Sequence, residues 1–292
     1  MTLETYLRKT YSPATYNSNM FNIRRFTDYY PDGKAQRATY GEILQYIEYL
    51  RKNFDLHPKT LRHCLYGVKI YFNWLLETGR RTDHPCSELK LKDRIDKRIR
   101  VENLYSGQEL ERFFETVCAP KRKHRLDNRN KIIVSLLIYQ ALTVTEIAAL
   151  TTGEVNLEKG EIHIKAQYHQ LARTLPLKAK QILMFYNYLQ ADRPELAAFA
   201  KEPCDAFILG QYGEPIKPEA ISRMLNCYRP ANERLQPVKI RQSVIANLLD
   251  DRHDTRIVQV FAGHRRASTT EEYRKDANET LQAAVNRYHP VK

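Results

Sequence analysis

The segment PVKIRQSVIANLLDDRHDTRIVQVFAGHRRASTTEEY, residues 237–273, decides how the chain is read. Ile240, Val244 and Leu248 recur at helical spacing and Ile245 and Leu249 widen the stripe, which predicts a helix over Pro237–Asp250. Arg241 falls at the edge of that apolar face, where an arginine seldom stands without a partner. A second helix is expected over Thr255–Ala262, closed by Gly263, the residue type favoured just past a helix C-terminus. Ser268 to Glu271 then form a capping-box pattern for a further short helix, with Tyr273 in its first turns. Arg241, His264 and Tyr273 thus make an R-x22-H-x8-Y string. A guanidinium grips phosphate, an imidazole donates a hydrogen bond or a proton, and a phenolic oxygen attacks phosphorus. Each residue also has a plainer reading: a buried-edge ion pair for Arg241, a surface cap for His264, and one of nineteen tyrosines for Tyr273. The joint spacing is what carries the chemistry.

Outward from this segment, the chain up to about residue 90 reads as a helical bundle. Ser12-Pro13 is a cap followed by a first-turn proline, and Tyr16, Met20, Ile23 and Phe26 follow at helical spacing. Ile43, Leu44, Ile47 and Leu50 mark a second helix. Leu61, Leu65, Val68, Phe72 and Leu75 mark a third that begins after Pro58, with Gly79 beyond its end. Arg24, Arg25, Arg51, Lys52, Lys59, Arg62 and Lys69 lie on the polar sides. Lys90–Arg100 holds six basic residues against two acidic ones and has no apolar stripe. It reads equally as a solvated linker or as a segment lying along a phosphate backbone. From Tyr105 the pattern becomes mixed, with helices over Ser106–Cys118 and Asn130–Leu142, strands near Glu161–Lys165 and Arg173–Leu177, an apolar segment at Ala206–Leu209, and a helix near Lys217–Tyr228. The fold class is mainly α with a small β-sheet. Residues 1–92 form an N-terminal helical domain, 93–104 a basic linker, and 105–292 a C-terminal α+β domain.

Composition narrows the partners. Lys and Arg number 47 against 34 Asp and Glu, a formal charge of +13, which points to a polyanion, nucleic acid first. A basic protein without such a partner is the plainer alternative. No apolar run is long enough to span a membrane, and the N-terminus lacks the core of a signal peptide. The five cysteines show no metal-ligand spacing and read as reduced thiols of a cytoplasmic protein.

The 237–273 segment resembles the C-terminal motif of the tyrosine recombinases, the phage-integrase and Xer-type family, through its LL pair, RIVQ run, GH dipeptide and STT-x-x-Y ending. IYQALTVTEIAALTTGEVNLEKGEIHI upstream resembles that family's helix, turn and first strand. Residues 61–91 resemble the end of its SAM-like core-binding domain. The resemblance implies a site-specific recombinase or integrase that cleaves and rejoins DNA through a 3′-phosphotyrosyl intermediate. Tyr273 would be the nucleophile, and Arg241 and His264 would bind the phosphate. No metal or other cofactor is needed. It also implies a clamp around double-stranded DNA, a homo-oligomer, a tetramer, on that DNA, and a last helix over Asn278–Tyr288 packed on a neighbouring protomer.

The chain departs from the family pattern in places. Thr143 stands where the first arginine is expected, and Val238 where a histidine is. Gln242 follows Arg241 in place of a second histidine, and Gln167 aligns with the general-acid lysine. Thr143 has a local reason to be there, since Thr143-x-x-Glu146 is a capping box. Lys165 and Arg173 are close enough in sequence to substitute for missing groups. These departures keep open a second reading, a catalytically impaired recombinase-like protein that binds DNA as an accessory or regulator. Expected phosphate contacts are Arg24, Arg25, Arg62, Lys69, Lys97, Arg98, Arg100, Arg122, Lys123 and Lys239, with solvated surface charge as the alternative for each.

Overall fold

The computed structural model describes residues 1–30, 33–95, 99–119, 125–167, 170–227 and 233–274. The chain divides into two compact units, Met1–Lys97 and Arg98–Lys292.

The first unit is all helical: α1 (Leu3–Thr10), α2 (Pro13–Tyr29), α3 (Tyr40–Asn53) and α4 (Pro58–Glu77). Local chemistry starts each helix. Ser12 Oγ accepts from Thr15 N ahead of Pro13, and Thr39 and Glu42 close a reciprocal capping box on α3. Gly79, in the left-handed conformation, ends α4 and lets Arg80 N donate back to Leu75 O at 2.9 Å. The helices bury Ile23, Phe26, Ile43, Tyr46, Ile47, Leu50, Leu65, Val68, Phe72 and Leu75 in one core, with the Phe26 ring edge-on to Tyr46 and Phe72. Leu44 is a correction, because it is exposed and Tyr46 takes the core position on α3. Helix α1 buries only Tyr6 and Leu7, a stripe too brief to show a period in the sequence. Gly67 brings α4 against α2, and a Cβ there would lie 2.7 Å from Asn22 Cβ. Beyond α4, Asp93 is held by Arg51 at 2.8 Å, and Arg62 donates to its carbonyl.

The second unit opens with α5 (Gly107–Cys118), α6 (Asp127–Tyr139) and α7 (Val144–Ala149). An antiparallel sheet follows in the order β1 (Val155–Asn156), β2 (Glu161–Ile164), β3 (Arg173–Pro176), in which Ile162 pairs with Leu175 and Ile164 with Arg173. Next come α8 (Ala179–Asn187), a π-helical segment over Tyr188–Asp192, α9 (Arg193–Ala197), α10 (Pro218–Asn226), α11 (Pro237–Asp250), α12 (Thr255–Ala262) and α13 (Ala267–Glu271). Helix α6 is the centre of the core. Ile132, Ile133, Val134, Leu136 and Leu137 are all buried, and Leu110, Ile147, Ile162, Leu175, Phe207 and Ile240 belong to the same cluster.

Two sequence expectations are corrected here. Helix α6 runs three residues earlier at each end than expected, because Ala141 takes a positive φ of 50° and breaks the helix inside an unbroken apolar run. The apolar segment Ala206–Leu209 is bridged to Thr151 at one end and to Pro215 at the other. Helix α13 begins at Ala267 with Arg266 as its cap, so Ser268 is not a cap and Tyr273 lies just past the helix rather than in its first turns. Among the described residues no helix is long and apolar enough to cross a membrane.

Candidate active site

Arg241 sits in the second turn of α11 and is buried, with only 6 % exposure. Its Nη1 donates to Ala141 O, in the turn that ends α6, and its Nη2 donates to Ala262 O, the last carbonyl of α12, at 2.5 Å. One guanidinium therefore joins three helices. The positive φ of Ala141 belongs to the turn that supplies one of these carbonyls.

Glu146 supplies the countercharge. It belongs to the capping box of α7, where its Oε2 accepts from Thr143 N at 2.8 Å and Thr143 Oγ1 at 3.0 Å. The same oxygen lies 3.8 Å from Arg241 Nη1, and Oε1 accepts from Arg173 Nη1 at 2.6 Å. The side chains of Glu146 and Arg173 are essentially sealed from solvent. Arg173 reaches this carboxylate from the buried face of β3, which it shares with Leu175.

His264 follows Gly263, whose left-handed conformation (φ 69°) turns the chain after α12. The sequence left His264 open as a surface cap, but it is buried. The physical reason is the β2–β3 connection, in which Gln170 bridges His264 and Leu171 N donates to Gly263 O, covering the turn. His264 Nδ1 is 2.8 Å from Thr270 Oγ1 of α13, and Thr270 is fully buried. The Tyr273 ring stacks on the imidazole, with centroids 6.0 Å apart and planes 18° from parallel. Tyr273 is half-buried, and its hydroxyl is within reach of the Gln242 side chain.

The electrostatics follow from burial and two adjacent cations. Burial, reinforced by Arg241 and Arg173, lowers the His264 pKa to about 4, so the ring is neutral near pH 7. Burial also raises the Tyr273 phenol, and the Arg241 charge and Gln242 pull it back. Arg241 is itself lowered by burial, with Glu146 opposing the shift. These groups span α7, β3, α11 and the turns around α13, and they bring the Arg241 guanidinium and the His264 imidazole beside the Tyr273 phenol.

The other predicted residues stand elsewhere. Lys165, at the end of β2, is exposed and pairs with Glu154 at 2.8 Å, an ion pair that raises its pKa. Gln167 pairs with Gln170 across the β2–β3 turn. Val238 is exposed in the first turn of α11, and Lys239 Nζ lies over the Tyr105 ring. In the first unit, Arg24 pairs with Glu4, Arg25 covers the Phe54 ring, and Lys69 donates to Ser87 O. Arg100 precedes a short 3-10 turn at Val101–Asn103. Lys97, Arg98, Arg122, Lys123 and the Asn278–Tyr288 helix lie outside the described residues. Sequence reasoning missed Thr270 as the histidine's partner and saw Glu146 only as a cap. The capping-box motif was the available signal for Glu146, and Thr270 had none. Among the described residues no group of three His, Cys, Asp or Glu side chains is arranged to hold a metal.

Residues 103–280 match the profile of the phage integrase family, and residues 2–80 match the phage integrase N-terminal SAM-like domain. Tyrosine recombinase XerC 2 of Ralstonia nicotianae is 26% identical over 305 aligned positions, covering 99% of this chain and 84% of its own. Tyrosine recombinase XerC of Pelotomaculum thermopropionicum is also 26% identical, covering 98% of this chain and 95% of its own. Among solved structures, the fold is similar to XerH site-specific recombinase bound to its palindromic difH substrate, with a TM-score of 0.70, 17% identity, and coverage of 93% of this chain and 79% of that one. It is also similar to the Tn1549 transposon integrase in complex with transposon right end DNA, with a TM-score of 0.66, 15% identity, and coverage of 98% and 99%.

Proposed function

The chain belongs to the phage integrase family, and from that premise we propose that it is a site-specific DNA recombinase whose nucleophile is Tyr273. The phenolic oxygen attacks a backbone phosphorus and the bond to O5′ breaks. This leaves a 3′-phosphotyrosyl link and a free 5′-hydroxyl. Attack by a second 5′-hydroxyl reverses the chemistry and reseals the strand, so the bond energy is kept and no cofactor is consumed. Arg241 and neutral His264 stabilise the charge that develops on the non-bridging oxygens. Lys165 is the candidate to protonate O5′, and it must first leave Glu154, whose charge makes the ammonium keep its proton more tightly. The single observation that carries this reading is the stacking of Tyr273 on His264 beside the Arg241 guanidinium.

Exchange between two duplexes requires four strand cuts, and each protomer offers one Tyr273. The working assembly is therefore a homotetramer on double-stranded DNA, with residues 1–92 and 105–292 as DNA-binding and catalytic domains. A formal charge of +13 supports strong, salt-dependent binding. The cysteines of the described residues are all free thiols, which suits a reducing cytoplasm.

The test starts from duplexes that the protein selects from a randomised pool. Each is nicked just beyond a candidate phosphate so that the short released strand diffuses away. Wild type is expected to form a denaturant-resistant protein–DNA adduct. Tyr273→Phe is expected to form none while binding the same duplex as tightly. Tight binding with no adduct at any nick position would overturn the proposal and favour a DNA-binding protein without strand-transfer activity.

A further inference from the structure

We infer that Arg173 is a second phosphate-binding guanidinium of this site, delivered from β3 and standing in for the arginine that Thr143 cannot be. The inference rests on Tyr273 being the nucleophile, and it assigns a catalytic residue that this reading leaves vacant.

Three observations carry it. First, Arg173 shares a carboxylate with Arg241. Glu146 Oε1 takes Arg173 Nη1 at 2.6 Å, and Oε2 lies 3.8 Å from Arg241 Nη1. Two guanidiniums on one buried carboxylate leave a net positive site, which an anion completes. Second, the hydrogen bonding is unequal. Both terminal nitrogens of Arg241 are occupied by the carbonyls of Ala141 and Ala262. Arg173 uses only Nη1, while Nε and Nη2 are buried with no hydrogen-bond partner among the described residues. Those two donors form the parallel edge of a guanidinium, the edge that matches two oxygens of one phosphate. Buried donors are rarely left open without a functional reason. Third, the Arg173 charge is felt at both other members of the site, His264 and Arg241. Gly263, immediately before His264, packs so tightly on Arg173 that a Cβ there would lie 2.6 Å from Nη1.

A purely structural role has to be separated from a catalytic one, because Glu146 also needs Arg173 as a countercharge. A chemical readout does this. On the duplex that wild type cleaves, the scissile phosphate is replaced by a methylphosphonate, which is neutral and lacks one of the oxygens a guanidinium would grip. Arg173→Ala is expected to slow single-turnover cleavage of the natural diester by about 10²–10³-fold, and to slow cleavage of the methylphosphonate far less. Arg173→Lys keeps an ion-pair partner for Glu146 and guards against misfolding. It is expected to lose about tenfold or more on the diester, since an ammonium lacks the paired donors, and again much less on the methylphosphonate. Equal losses on both substrates, or no loss on the diester, would overturn the assignment while leaving Tyr273 as nucleophile. Absence of any Tyr273-dependent cleavage by wild type would overturn both.

Discussion

Replacing Glu146 by alanine tests whether one carboxylate holds the site together. Its side chain is shielded from solvent and makes three hydrogen bonds, two from Thr143 and one from Arg173, with Arg241 at 3.8 Å. Removing one partner of a buried ion pair costs about 3–5 kcal/mol, since the remaining charge stays desolvated. Loss of the capping interaction at α7 adds about 1 kcal/mol. A total of about 4–6 kcal/mol corresponds to a fall in melting temperature of about 10–20 °C for a unit of this size. Scanning calorimetry of the full chain reads this directly, and the loss belongs to the transition of the Arg98–Lys292 unit. Glu146→Gln keeps an acceptor for Thr143 N and removes the charge, so it isolates the ionic part and is expected to recover only about 1 kcal/mol. A Glu146→Ala protein within about 1 kcal/mol of wild type would refute the claim that this carboxylate organises both arginines, and so would a Gln variant as stable as wild type.

Two further outcomes follow from the geometry. His264 is held near a pKa of about 4 against an ordinary 6.5, so the unfolded chain takes up this proton at higher pH than the folded one. The stability tied to the neutral ring is complete above about pH 6.5 and is lost as pH falls toward 4, by about 3 kcal/mol at most and less after solvent screening. Urea titrations between pH 7 and 4 are expected to show this slope in wild type and not in His264→Gln; the same slope in both would refute it. In the first unit, Gly67→Ala places a Cβ 2.7 Å from Asn22 Cβ. The clash, about 1–3 kcal/mol, outweighs the roughly 1 kcal/mol that alanine adds to a helix. Urea unfolding is expected to show net destabilisation, and a more stable variant would refute the close α2–α4 approach.

Much of the helical layout was legible because local chemistry announces it. Pro237 and Gly263 bracket α11 and α12, and Thr143 with Glu146 opens α7. Helix α8 escaped because Leu183 and Tyr186 are apolar yet exposed, which blurs its stripe. The cap of α13 lies elsewhere than the template suggests: Ser-Thr-Thr-Glu fits a capping box, but the helix already begins at Ala267 with Arg266 as its cap, which puts Ser268 inside it. The burial of His264 was equally hidden. A glycine after a helix fixes the backbone turn and says nothing about which distant segment, here Gln170 and Leu171, will cover it.

The contrast between Lys165 and Arg173 shows what the sequence held unused. As neighbours of a missing cation, the two looked interchangeable. A strand, however, sends successive side chains to opposite faces. Ile162 and Ile164 are the buried pair on β2, which sends Lys165 outward, where it meets Glu154. Leu175 is buried on β3, which sends Arg173 inward, where it meets Glu146. Period-two counting alone therefore assigns the arginine to the interior and the lysine to the surface. The interior position suits a fixed phosphate ligand that must not move during catalysis. The surface position suits a proton donor that must travel to a leaving oxygen and back. The two cations are not alternatives for one vacancy but candidates for two, and the strand on which each sits determines which.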